Sequence, residues 1–274
     1  MTNKINIVFL TKLEALFEYE CSSYFKNMSS AEINKRRKRL KCTPRETLIE
    51  AYGKYIKEFT NVEKEQFISA TAETMDILKS FYLPNKKPIG VIQLKHGIDW
   101  DSPYTINHCI VIPQINAGDV TPETIIHEFI HILQRYKLLY PEANEYFAKI
   151  YGKWGFKQYF TNQITIPKDF TFQIMTNPDG DNFEWIWDGG CKELGVNGGI
   201  SPVWLPIFGE DEKGEMAGYL AKLDQNGNLT NIWYPIEKCP WYIKKIGAGP
   251  IQLYHPNEII ACNISYNLTH YYNK

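Results

Sequence analysis

Apolar residues recur at helical spacing through the first third of the chain, and in short β-prone runs through its second half. Ile5 to Leu10 is a brief apolar run that fits a short strand or a helix start. From Lys12 to Lys26, Leu13, Leu16, Phe17 and Tyr24 fall at helical spacing and predict a helix with those residues inward. A further helix is expected over Ser30 to Lys41. Thr43-Pro44, a hydroxyl followed by proline, opens the next, with Leu48, Ala51, Tyr52, Tyr55, Ile56 and Phe59 as its buried stripe. Asn61 caps one that runs to about Phe81, with Phe67, Ile68, Thr71, Met75 and Leu78 inward, and Leu83-Pro84 ends it. The pattern then shortens. Pro88 to Leu94 and the β-branched stretch Tyr104 to Pro113 read as strands, separated by the polar loop HGIDWDSP. Thr121 caps a helix with Pro122 at its first position, running to about Tyr136, and Pro141 restarts a helix that ends near Gly155.

Beyond residue 157 the character changes. Gln163 to Ile166, Phe170 to Met175, Phe183 to Trp187, Val203 to Phe208, Gly218 to Leu223 and Asn231 to Ile236 are short, aromatic and β-prone. Asn-, Asp- and Gly-rich turns separate them. The stretch NPDGDNFE offers Asp179 and Asp181 but not the remaining spacing of a calcium loop, so it reads as a hairpin turn. Gly247, Gly249 and Pro250 close the segment, and Pro256 starts a last helix. The fold class expected is α+β. Its parts are a mostly helical region over 1–87, a core formed by 88–157 and 248–274 around a small twisted sheet, and a β-rich insertion over 158–247.

Composition narrows the function. A net charge of -1 provides no global field for nucleic acid or an acidic membrane. Six of the seven residues from Lys35 to Lys41 are basic, a weak hint of a nucleic-acid anchor that reads better as a solvated helix face. The six cysteines are scattered, with no C-x-x-C pair, so neither a disulfide framework nor a cysteine zinc site is expected. No stretch has the length of a membrane span. The apolar run near the start is too short for a secretory leader, so the expected location is the cytoplasm.

The chemistry concentrates in TIIHEFIHIL, Thr124 to Leu133. His127 and His131 are four positions apart, so on a helix they leave the same face and can grip one zinc ion. Glu128 can then work on a metal-activated water. Every residue flanking the motif is uncharged, and Glu128 is the only charge between Glu123 and Arg135. The helix should therefore be buried on nearly every side, where a lone acid is costly without a partner. Zinc in a catalytic site takes three protein ligands and keeps one position open. Downstream, His255, Glu258 and His270 are the possible third ligands.

HEFIH resembles the H-E-x-x-H element of the zincin metallopeptidases. Asn257-Glu258-x-x-Ala261 resembles the N-E-x-x-A element of their gluzincin branch. The resemblance implies Glu258 as third ligand on a second helix, beside His127 and His131, with one catalytic Zn2+. It implies peptide-bond hydrolysis of a peptide or protein substrate, with Glu128 as general base. It also implies that the strand before the motif helix, here Ile106 to Ile112, is the sheet edge that pairs with extended substrate, which would turn Asn107 or His108 toward it. The oxyanion donor is sought first at His255, then at Tyr254 and Tyr266. Thermolysin-like members carry an aspartate four residues after the ligand glutamate to orient the first histidine. Here that position is Cys262, so a backbone carbonyl or Asn263 must serve instead. The aminopeptidase element for binding a free amine is not found, which favours an endopeptidase. The alternatives are a zinc hydrolase acting on a non-peptide substrate and a non-catalytic metal-binding or interaction protein.

Overall fold

The computed structural model describes residues 6–28, 30–43, 47–79, 87–113, 120–137, 139–158, 173–174, 185–187, 204–210, 216–246 and 255–271. Helices and strands are both well represented, as the α+β expectation requires. The chain divides into two compact units, Met1–Ala143 with Asn263–Lys274, and Asn144–Cys262.

The first unit is built on a five-stranded mixed sheet. Its strands are β1 (Ile7–Phe9), β2 (Ile56–Lys57), β3 (Ile89–Leu94), β4 (Tyr104–Ile106) and β5 (Cys109–Pro113). The order is β1-β3-β5-β4, with β2 also pairing β3. β1, β3 and β5 run parallel, and β4 folds back antiparallel on β5 with Ile106 opposite Cys109. All six residues of β3 and all five of β5 are buried, as central strands with both faces covered should be. Gly90 is required in β3, because an added Cβ would lie 2.5 Å from the Cys109 sulfur.

Helices α1 (Lys12–Cys21), α2 (Ser23–Asn27), α3 (Ser30–Arg39), α4 (Leu48–Gly53), α5 (Asn61–Lys79) and α6 (Pro122–Arg135) accompany this sheet. Tyr19, Tyr52, Ile92, Leu94, Ile106 and Val111 share one core cluster. Three of the helix starts use the same device. Thr11 with Glu14, Thr47 with Glu50, and Thr60 with Glu63 each form a reciprocal capping box.

These caps correct several expected boundaries. The fourth helix begins after Thr47, not at Thr43, and it ends at Gly53, so Ile56 belongs to β2. Thr60, not Asn61, caps α5. The expected helix from Lys12 to Lys26 is broken at Ser22, whose backbone is extended. Its inward residues are Ala15 and Tyr19, whereas Leu13 and Phe17 are 78% and 63% exposed. Ile68 of α5 is likewise outward, with Phe67 and Thr71 inward. Leu83-Pro84 lies outside the described residues.

The second unit carries α7 (Pro141–Trp154) and a six-stranded sheet of β6 (Phe156–Gln158), β7 (Gln173–Ile174), β8 (Trp185–Trp187), β9 (Trp204–Glu210), β10 (Met216–Leu223) and β11 (Leu229–Pro235). Every described pairing in it is antiparallel, in the order β11-β10-β9-β8-β6 with β7 on β9. Leu205, Ile207, Tyr219, Ala221, Leu223 and Leu229 form its core cluster. The strands expected from the β-prone pattern are present wherever residues are described. Gln163 to Ile166 and the turn with Asp179 and Asp181 lie outside them. The short helix α8 (Pro240–Ile246) follows, and α9 (Pro256–Tyr271) starts at proline as expected. Among the described residues no helix is long and apolar enough to cross a membrane.

Candidate metal centre

Helix α6 carries the HEFIH motif. Thr121 caps it through Thr124 N–H, and Pro122 occupies its first turn, where a missing N–H costs nothing. The helix packs on α5 and on strands β4 and β5. Ile125, Ile126, Phe129, Ile130, Ile132 and Leu133 are all buried, and so are Glu128, His131 and Gln134. His127 alone of the motif is partly exposed. At the other end Arg135 donates to the carbonyls of Asn107 (3.0 Å) and Thr105 (3.3 Å), which ties the helix to the β4–β5 hairpin.

The two imidazoles converge. Nε2 of His131 stands 3.0 Å from Nε2 of His127. Two nitrogens bound to one tetrahedral zinc at the usual bond length stand roughly 3.3 Å apart, so the pair is within a few tenths of an ångström of that spacing. Nδ1 of His131 lies 2.8 Å from the side-chain oxygen of Gln134. An amide oxygen can only accept, so Nδ1 carries the ring proton and Nε2 presents its lone pair. Two converging imidazole nitrogens are donors that suit zinc.

The residues around Glu258 are fixed by short-range contacts. His255 precedes α9 and is 1% exposed. Its Nδ1 accepts the Asn257 N–H at 3.1 Å, so the ring caps the helix, and its carbonyl accepts from Ile259 N–H. With Nδ1 accepting, the neutral ring carries its proton on Nε2. Asn257 receives a second anchor, the Tyr151 hydroxyl of α7, which donates to its Oδ1 at 2.6 Å. Tyr151 in turn packs on Trp185, with ring centroids 4.1 Å apart. His270 is exposed and stacks on Tyr266 at 4.1 Å. Tyr254 lies outside the described residues.

The expected substrate-pairing edge is corrected. Ile106 to Ile112 is not one strand but the end of β4, a two-residue turn and most of β5, and β5 is interior to the sheet. Asn107 and His108 form that turn. Asn107 adopts φ 47°, a left-handed conformation that asparagine tolerates. Its amide nitrogen donates to the carbonyl (2.8 Å) and carboxylate (2.7 Å) of Glu18. His108 is 2% exposed, with Nδ1 at 2.9 Å from the Pro88 carbonyl and Nε2 at 3.0 Å from the Tyr140 hydroxyl. Burial is the main reason its pKa is lowered. The Asn107 side chain is thus held by Glu18 of α1, and the His108 ring by Pro88 and Tyr140.

The basic run is also revised. Arg36 is buried and paired with Glu32 and Asp99. Arg37 and Arg39 donate to the carbonyls of Thr43 and Gly97. Three of its six basic residues therefore serve the fold.

Gln134 was not foreseen. Its only sequence signal is its position three residues after His131, on the same helical face. Comparison of the chain with protein-family models, with curated proteins and with solved structures gave no match.

Proposed function

We propose that this chain is a zinc-dependent metallopeptidase of the gluzincin type, with His127, His131 and Glu258 as metal ligands and Glu128 as general base. The observation that carries the reading is the convergence of the two motif imidazoles on one buried helix, the His131 ring turned so that its lone pair faces His127. Glu258, buried near the start of α9, is the proposed third and anionic ligand.

Zinc, when bound, supplies Lewis acidity toward a carbonyl oxygen and acidifies a water. The chain supplies the rest. Glu128 follows His127 on α6, where a carboxylate can take the proton from that water and return it to the leaving amine. Its side chain is buried on the same helix as the two imidazoles. His255, with its proton on Nε2, is the proposed donor to the developing oxyanion. The substrate is a peptide or protein cleaved internally. The cytoplasm is the proposed location, supported by the free thiols Cys21, Cys109 and Cys239.

Zinc content, read by elemental mass spectrometry, tests the ligands, and hydrolysis of a casein-derived peptide mixture tests the chemistry. The wild type should hold about one zinc per chain. Glu258→Gln should lose zinc and activity together. Glu128→Gln should keep its zinc and lose roughly 10²–10⁴-fold in turnover. A wild type that takes up no zinc, or a Glu128→Gln variant with normal turnover, would overturn the reading.

A further inference from the structure

We propose that Gln134 is a positioning residue that selects the tautomer of His131. It holds the proton on Nδ1 so that Nε2 is always the nitrogen offered to a metal. The inference rests on the zinc reading for its purpose, but the geometry behind it does not. Gln134 Oε1 lies 2.8 Å from His131 Nδ1, and both side chains are buried, at 3% and 0% exposure. They are one turn apart on α6, so the acceptor is carried by the same rigid element as the ligand. A neutral imidazole in water favours protonation at Nε2 by a small margin, which would leave the wrong nitrogen facing His127. A single buried acceptor at Nδ1 reverses that preference, because a ring that flipped its proton would leave the amide oxygen facing a lone pair.

The type of residue has a consequence. A carboxylate in this place would bring a negative charge into a buried site that already contains Glu128. An amide fixes the ring with no charge. The cation then keeps more of its own charge for the substrate carbonyl. This also accounts for how the chain orients a ligand histidine from within the motif helix itself.

The test reads the tautomer directly, by nitrogen-15 NMR of the histidine rings in the zinc-free protein, and zinc affinity by competition with a chelator. In the wild type His131 should be protonated on Nδ1. In Gln134→Leu the proton should move to Nε2, and zinc affinity should fall about 10–100-fold. Gln134→Glu, which restores an acceptor, should recover the wild-type tautomer and bind zinc at least as tightly as Gln134. A wild-type His131 protonated on Nε2 would overturn the proposal, and that measurement needs no variant to fold. So would a Gln134→Leu protein with unchanged tautomer and affinity. Loss of the zinc reading looks different: the wild type would bind no zinc while the Gln134-dependent tautomer persisted.

Discussion

Two polar clusters in the first unit are built on opposite principles. Around Arg36, charge meets charge. Its guanidinium pairs with Glu32 at 3.2 Å and with Asp99, and it donates to the hydroxyls of Tyr52 at 2.8 Å and Tyr24. Tyr52 donates on to Asp99 at 2.7 Å, and Tyr19 and Tyr104 share a further hydrogen bond at 2.8 Å. Burial first, and the Asp99 charge second, push the Tyr52 hydroxyl far above its usual pKa, so it stays a donor. On α6, by contrast, two groups of the same kind face each other: Nε2 of His127 and Nε2 of His131, 3.0 Å apart. A donor–acceptor cluster of mixed sign satisfies itself. Two ring nitrogens this close can share one proton, and they could equally share one cation. Burial alone does not separate the two clusters; the sameness of the facing atoms on α6 does.

The largest stability effect should come from breaking the self-satisfied cluster. Arg36→Met removes the cation and leaves Glu32 and Asp99 buried beside each other's charge. Losing one partner of a buried ion pair costs about 3–5 kcal/mol. Urea unfolding should show that loss, while the folded fraction keeps its zinc stoichiometry. A change under about 1 kcal/mol would mean that Arg36 is solvated like the rest of its run, and the contrast between the clusters would fail.

A second substitution sharpens the distinction between fold and site. Asn107→Ala removes both bonds to Glu18 and forces alanine into a left-handed conformation. The combined cost should be about 1–3 kcal/mol. KM for a peptide substrate should stay within twofold of wild type. A large rise in KM at unchanged stability would restore Asn107 to the substrate-binding role that its sequence position suggested.

The contrast also explains what was legible in the sequence. HEFIH, its apolar flanks, the Thr121-Pro122 start and the Pro256 start of α9 are local signals, read from residues within a few positions of one another. So are the β-prone runs that became β9, β10 and β11. What failed were readings that needed a partner from elsewhere in the chain. Leu13 and Phe17 have helical spacing, but so do Ala15 and Tyr19, and only the sheet decides which face is covered. Arg36 looks like its basic neighbours until Asp99, 63 residues away, is placed beside it. Tyr104 to Pro113 has the β-branched content of one strand, and Asn107-His108 lacks the glycine that usually betrays a two-residue turn. The capping boxes were an avoidable miss. Thr47-x-x-Glu50 and Thr60-x-x-Glu63 are readable patterns, and they outweighed the Thr43-Pro44 and Asn61 signals.

The smallest effect extends the comparison toward the surface, where opposite charges meet in the presence of water. Lys57 lies 2.6 Å from Glu63, with both side chains partly exposed. The Lys57 ammonium first, and the Thr60 backbone N–H second, lower the Glu63 pKa from 4.5 to about 2. A carboxylate with a depressed folded-state pKa stabilises the fold above its unfolded value of about 4.5. That contribution should fade as the pH falls through 4.5 toward 2, where both states become protonated. Solvent screening should hold it to about 1 kcal/mol or less, well below the cost at Arg36. The measurement is the stability difference between wild type and Glu63→Gln at pH 6 and at pH 2.5. The difference should shrink toward the lower pH, because protonation does to the wild type what the substitution already did. A difference that stayed constant across that range would assign the role of Glu63 to the capping geometry at Thr60 and not to its charge.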